Sequence, residues 1–337
     1  MNPRPKVVNI DSRHAYYAQE QAQLAAIGAD MVLAKTKGDD DVIRVCADAD
    51  IVLVEASPVT AKAIEGMTRT RAIIIYAVGY DKIDVAAATR QGIIVANIPD
   101  YCTEEVSDHT AALLLAASRR VVIMDRNIRA GGWFDFPKNG PIHRMKNLTL
   151  GLVGLGRIGS GVVRKLSGFQ MRTLVADPFL KPADAPAGVE LVSLERVLRE
   201  SDLISVHVPL GPQTRGMFST AQFRAMKPNA IFVNTSRGPI VDEEALATAL
   251  REKWIAGAAL DVTVKEPLDA SSPLRGLDHL IITPHYGASS EESVPQLRAT
   301  VMDSVRALLA GHWPPYPVNP SMSPRVPLKP WSDFGRA

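Results

Sequence analysis

Short runs rich in valine and isoleucine alternate with helix-like stretches along the whole chain, and this alternation leaves few folds open. The first series is VVNI (7–10), MVLA (31–34), DIVLVEA (50–56), AIIIY (72–76) and IIVAN (93–97). The second is LTLGLVG (148–154), MRTLVAD (171–177), DLISVHV (202–208), AIFVN (230–234), AGAALDV (256–262) and HLIITP (279–284). A strand covered on only one face alternates apolar and polar residues, whereas one buried on both faces reads as a continuous apolar run. Helical stretches between such runs imply right-handed crossovers and parallel sheets. The expected class is therefore α/β.

The two series imply two sheets, separated by the longest helical pattern, about residues 103–130. Thr103 is a plausible N-cap, with Glu104 and Glu105 in the first turn. A second long amphipathic pattern covers about 290–310. The chain is thus expected to cross between domains twice, giving one domain from 1–102 and 292–320 and another from 103–291. Prolines recur from Pro314 to Pro330. Proline lacks a backbone donor and resists helix, so 321–337 reads as a proline-rich strap or tail. A chain of 337 residues with 46% hydrophobic and 22% charged residues can fill both cores.

Net charge is only +2, with no dense basic block, so nucleic acid is not an expected partner. Cys46 and Cys102 form no C-x-x-C pair, which suits a reducing compartment and argues against a cysteine metal site. MNPRPKVVNI lacks the apolar core of a signal peptide. The longest apolar stretch, AALLLAA (111–117), is far short of the roughly 20 residues that span a bilayer. The expectation is a cytoplasmic protein with no membrane association.

TLGLVGLGRIGSG holds Gly154-x-Gly156-x-x-Gly159, with Arg157 and Ile158 between the last two glycines. Glycine spacing alone is a weak signal. Here the motif follows an apolar strand and opens a helix, and Asp177 ends the next strand 18 residues after Gly159. That context is the dinucleotide fingerprint: a tight turn, close backbone approach to a pyrophosphate at a helix N-terminus, and an acid for the ribose hydroxyls. A carboxylate at Asp177 would repel a 2′-phosphate, which favours NAD, although Lys181 lies nearby.

Arg237, Glu266 and His285 each lie at or just beyond a strand end, where ligands of open α/β sheets bind. A buried guanidinium is costly unless an anion meets it. Its planar fork suits a carboxylate in a way that lysine cannot match. The segments NTSRGPIVDEEAL, GAALDVTVKEPL and ITPHYGASS, behind GLVGLGRIG, resemble those of the D-isomer-specific 2-hydroxyacid dehydrogenases, and AVGYDKIDVAAATRQGIIVANIP is similar to a first-domain segment of that family. The resemblance covers about residues 70–320. It implies two Rossmann-like domains, a flavodoxin-like substrate domain and a NAD-binding Rossmann domain.

The same resemblance implies that Arg237 binds the carboxylate of a 2-keto acid. His285 exchanges a proton with the substrate oxygen, and Glu266 bonds to the imidazole and favours its charged form. It places Val78 and Gly79, a glycine turn, as backbone donors to the substrate. It puts Val208, Pro209, Thr214, Thr235, Ser236, Asp261 and Gly287 beside the cofactor, with Arg237 and His285 reaching it too. No metal is implied, and a homodimer formed through the NAD-binding domain is. Glutamine stands at the Glu266 position in formate dehydrogenases, and lysine stands near Val78 in phosphite dehydrogenases.

His207 also ends a strand and is the rival to His285. His109 and His143 are expected on a helix and a loop, for packing or surface, and His279 precedes its strand. Tyr76, Tyr80 and Tyr101 are candidate pocket walls, and GGWFDFPKNGP (131–141) is either a plain loop or a dimer contact or pocket wall. DYCTEEVSDHTAALLLA resembles the subgroup that includes the C-terminal binding protein corepressors. A non-catalytic NAD(H)-sensing protein is therefore the alternative.

Overall fold

The computed structural model describes residues 4–12, 17–133 and 141–335. The chain divides into two compact units, 1–101 with 291–337 and 102–290. Among the described residues the first unit holds five parallel strands: β1 (Lys6–Asn9), β2 (Asp30–Leu33), β3 (Ile51–Val54), β4 (Ala72–Ile75) and β5 (Ile94–Ala96). Their order, β2-β1-β3-β4-β5, is the flavodoxin-like arrangement. Every residue of β3, β4 and β5 is buried, as continuous apolar runs require.

The second unit is a seven-stranded parallel sheet ordered β12-β11-β10-β9-β6-β7-β8. Its strands are β6 (Thr149–Val153), β7 (Arg172–Ala176), β8 (Val189–Leu191), β9 (Leu203–Val206), β10 (Ile231–Asn234), β11 (Gly257–Leu260) and β12 (Leu280–Ile282). This is the dinucleotide-binding order, with its switch point between β6 and β9. Phe232 of β10 anchors one face of the core, its ring 4.9 Å from that of Phe218 and edge-on to Phe223 at 5.4 Å. Because all seven strands are parallel, all their C-terminal ends open on one edge.

Several expectations need correction. β8 has no apolar run to announce it, because it is a three-residue edge strand with Glu190 at its centre and no fully buried residue. The pattern at 103–130 is two helices, Thr103–Ser118 and Val121–Arg129. The break falls at Arg120, which is left-handed (φ 59°) and whose buried side chain donates from Nη1 to Ala256 O at 3.0 Å. Thr103 is the first helical residue rather than the cap, and Cys102 occupies the cap position.

The proline-rich segment lies along the first unit as a strap. Ala96 of the edge strand β5 pairs antiparallel with Pro317, and Val318 N donates to Val95 O at 2.7 Å. Asn319 accepts from Val95 N and donates to Thr89 Oγ1 and Ile93 O. Arg325 donates from Nη1 to the carbonyls of Met67 and Thr70 and from Nε to that of Gln91.

Candidate active site

The glycine turn leaves β6 at Gly154, whose φ is +93°. A Cβ there would meet His207 O at 2.9 Å, so only glycine lets the turn pass the β9 chain. Gly156 caps the helix Arg157–Leu166, and nothing would lie within 4 Å of a Cβ built on it. The helix N-terminus is therefore open to an approaching anion. Gly159 packs so closely that a Cβ would lie 2.6 Å from Gly154 O. At the end of β7, Asp177 accepts from Leu155 N at 2.8 Å through one oxygen and from Phe179 N at 2.9 Å through the other. The acid thus stands directly against the glycine turn, with lone pairs left for hydroxyl donors. Arg157 and Lys181 are exposed, and Ile158 is half-buried. This cradle fits a dinucleotide.

At the end of β9, burial pushes the His207 ring down to about 4, so it is neutral. Its Nε2 lies 2.9 Å from Ser205 Oγ. His207 belongs to the nucleotide side of the edge, beside Gly154 and Gly159. The following Val208 and Pro209 run into a loop tied by Thr214, whose Oγ1 donates to Pro209 O at 2.6 Å and accepts from Gly211 N at 2.9 Å.

β10 ends in Asn234, a fully buried amide that the sequence shows only as the last residue of a strand. Its Nδ2 donates to Arg237 O at 2.9 Å, and its Oδ1 accepts from Ser236 N at 2.9 Å. Ser236 Oγ also donates to Val206 O at 2.8 Å. These bonds shape the loop that carries Arg237, whose Nη1 donates to Ser236 O at 2.8 Å. Gly238 follows, and a Cβ there would fall 2.0 Å from Thr263 C. The arginine loop therefore rests directly on the backbone leading to Glu266.

Glu266 Oε2 lies 2.8 Å from His285 Nδ1, and Oε1 accepts from Thr263 N at 3.1 Å. Both side chains are about half exposed, at 40% and 45%. His285 is left-handed (φ 54°), a conformation that costs a non-glycine residue on the order of 1–2 kcal/mol. The loop is held by Asp261, which follows β11. Asp261 O accepts from His285 N at 2.7 Å, and its carboxylate accepts from Tyr286 N, Gly287 N and Thr283 Oγ1 at 3.0, 2.9 and 2.6 Å. Burial pushes Asp261 up, but the Thr283 hydroxyl and the two loop amides outweigh it and hold the carboxyl below its ordinary range. Sequence inspection could have flagged Thr283 only as a polar residue at the end of an apolar strand segment.

Val78 and Gly79 belong to the first unit, just beyond β4. Val78 O accepts from Asn97 Nδ2 at 2.5 Å, and among the described residues neither Val78 N–H nor Gly79 N–H has an acceptor. Tyr76 is packed in that unit's core, its hydroxyl donating to the buried carboxylate of Glu20 at 3.1 Å, which corrects its reading as a pocket wall. Tyr80 is exposed. Tyr101 packs against the same core as Tyr76. Most of GGWFDFPKNGP lies outside the described residues. Among those described, no group of three or more His, Cys, Asp or Glu could hold a metal, and no helix is long and apolar enough to cross a membrane.

The profile of the NAD-binding domain of D-isomer specific 2-hydroxyacid dehydrogenases matches residues 111–287. A glyoxylate reductase of Korarchaeum cryptofilum is 42% identical over 82% of this chain and 85% of its own length. A D-3-phosphoglycerate dehydrogenase of Mycobacterium leprae is 37% identical over 89% of this chain, which spans 57% of that longer protein. The structure of an Aquifex aeolicus D-lactate dehydrogenase complexed with NAD and lactic acid superposes with a TM-score of 0.82 at 26% identity, covering 90% of this chain and 96% of that one. The protein is an NAD-dependent oxidoreductase acting on a CH–OH group. It belongs to the D-isomer specific 2-hydroxyacid dehydrogenase family.

Proposed function

We propose that this chain interconverts a small 2-keto acid and its D-2-hydroxy acid, with Arg237, Glu266 and His285 as the reacting constellation. The observation that carries the reading is the 2.8 Å contact between His285 Nδ1 and Glu266 Oε2, on the sheet edge that also holds the glycine turn and Arg237. A carboxylate on Nδ1 orients the ring and leaves Nε2 to face substrate. Bound NADH supplies the hydride. Nε2 delivers a proton to the carbonyl oxygen and takes it back in the reverse direction. Arg237 holds the substrate carboxylate through its fork. In the first unit, the N–H groups of Val78 and Gly79 are proposed as further donors to the carboxylate.

In the second unit, Gly154, Gly156, Arg157, Ile158 and Gly159 are proposed to cradle the pyrophosphate and Asp177 the adenosine ribose. Val208, Pro209, Thr214, Thr235, Ser236, Asp261 and Gly287 complete the proposed cofactor side. The names of the relatives put glyoxylate first among substrates to try. The helix Val121–Arg129 has no buried residue, and Val121, Ile128 and nearby Trp133 are 54%, 48% and 80% exposed. This apolar face supports a homodimer through the second unit, which sedimentation would test. Buried cysteines without a disulfide support a cytoplasmic location.

An NADH-oxidation screen over glyoxylate, hydroxypyruvate, pyruvate and larger 2-keto acids tests the reaction. Steady turnover with at least one is expected. NADH binding without turnover of any member would sink the proposal.

A further inference from the structure

His109 and Thr110 are consecutive residues on the helix Thr103–Ser118, and each hydrogen-bonds to a different loop of the site. Thr110 is fully buried, and its Oγ1 donates to Val106 O at 2.7 Å. Its second bond, 2.8 Å to Thr235 Oγ1, is therefore donated by Thr235. Thr235 stands two residues before Arg237.

His109 Nε2 lies 3.0 Å from Thr283 Oγ1, and Thr283 stands two residues before His285. The Thr283 hydroxyl donates to Asp261 Oδ1 at 2.6 Å, so it accepts from His109 Nε2–H. The same nitrogen lies 3.3 Å from Asp261 Oδ1. Asp261 in turn holds the amides of Tyr286 and Gly287, and a Cβ on Gly287 would sit 2.9 Å from Asp261 Oδ2 and 3.1 Å from His109 Cδ2. The loop that keeps His285 in its left-handed conformation thus closes directly on the Asp261–His109 pair.

We infer that His109 and Thr110 are positioning residues that set the spacing between Arg237 and His285 by tying both loops to one rigid helix. The inference rests on the reaction proposed above. Substrate held by its carboxylate at Arg237 must present its carbonyl oxygen to His285 Nε2. A misplacement of about 1 Å between groups of this kind can cost on the order of 100-fold in rate. Neither His109 nor Thr110 needs to touch substrate for this.

The test measures kcat, the KM for the keto acid and the Kd for NADH in His109→Leu, His109→Gln and Thr283→Val. Glutamine can place an amide N–H near the imidazole Nε2 position, whereas leucine cannot. We expect His109→Leu to lose at least about tenfold in kcat with the NADH Kd held within about threefold, and His109→Gln to recover to within about threefold of wild type. Thr283→Val should lose kcat as His109→Leu does, and this variant decides the matter should His109→Leu fail to fold. In the Thr283→Val background, His109→Gln should cost nothing more.

Leucine and glutamine variants equally impaired would mean a packing role. A Thr283→Val enzyme within twofold of wild type would mean that the tie is idle. Either result overturns the inference. Wild-type protein that turns over no 2-keto acid would instead sink the function on which it rests.

Discussion

Replacing Glu266 by glutamine removes one negative charge from His285 and leaves a hydrogen-bonding group of the same shape. Two unit charges about 4 Å apart interact by roughly 1 kcal/mol in bulk water and roughly 4 kcal/mol at an effective dielectric of 20. The two side chains are 45% and 40% exposed, so the lower half of that range applies, about 1–2 kcal/mol after solvent screening. The imidazole carries positive charge while its proton passes to or from the substrate oxygen, and Glu266 stabilises that charge. At about 1.4 kcal/mol per factor of ten, its loss should lower kcat/KM roughly 5- to 30-fold. The equilibrium constant ties the two directions together, so reduction and oxidation should fall by the same factor while the affinities for NADH and NAD stay unchanged. The assay is kcat/KM for the keto acid and the hydroxy acid, with both cofactor Kd values, for wild type and Glu266→Gln. A loss under about twofold would refute the pairing of roles.

Arg237→Lys keeps the charge and loses the fork. kcat/KM for keto acids should fall by a factor corresponding to about 2–5 kcal/mol, with NADH affinity little changed, and unfolding of the variant with full activity in the folded fraction would point to a purely structural arginine. Asp177 should make the enzyme prefer NADH to NADPH by at least about tenfold, and Asp177→Ala should narrow that ratio; a wild-type ratio of kcat/KM near one would transfer control to another group such as Lys181. His207 is held neutral down to about 4. The folded state binds its proton later than the unfolded chain, so stability should decline as pH falls from about 6.5 toward 4, by up to about 1.4 kcal/mol per pH unit. Chemical denaturation of wild type and His207→Gln should diverge less at pH 5 than at pH 7, and an unchanged difference would show that burial does not control this ring.

The α/β class, the two sheets and the residues around Gly154, Arg237, Glu266 and His285 were legible because each is written locally. A buried parallel strand is an apolar run, and the chemistry follows at its end. What could not be read depends on partners distant in sequence. Arg120 breaks a helix because its guanidinium reaches Ala256, 136 residues away. β8 forms because β7 offers an edge, with Leu174 in register with Glu190, and its own residues give no signal. Asn234 reads as no more than the last residue of a strand, although its amide shapes the arginine loop. His109 reads as packing or surface because its partner, Thr283, lies 174 residues ahead. Tyr76 reads as a pocket wall because Glu20, which claims its hydroxyl, belongs to a distant helix.

The strap over β5 has a consequence for synthesis. The first unit is discontinuous, and its edge strand waits for partners near residues 316–319. About 220 residues separate β5 from Asn319, so at roughly 5–20 residues per second the ribosome delivers the strap on the order of 11–45 s later. The second unit is continuous and is complete before the strap emerges. Through that interval β5 presents an unpaired parallel edge, which is a template for association between nascent chains. The domain that begins first is thus finished last.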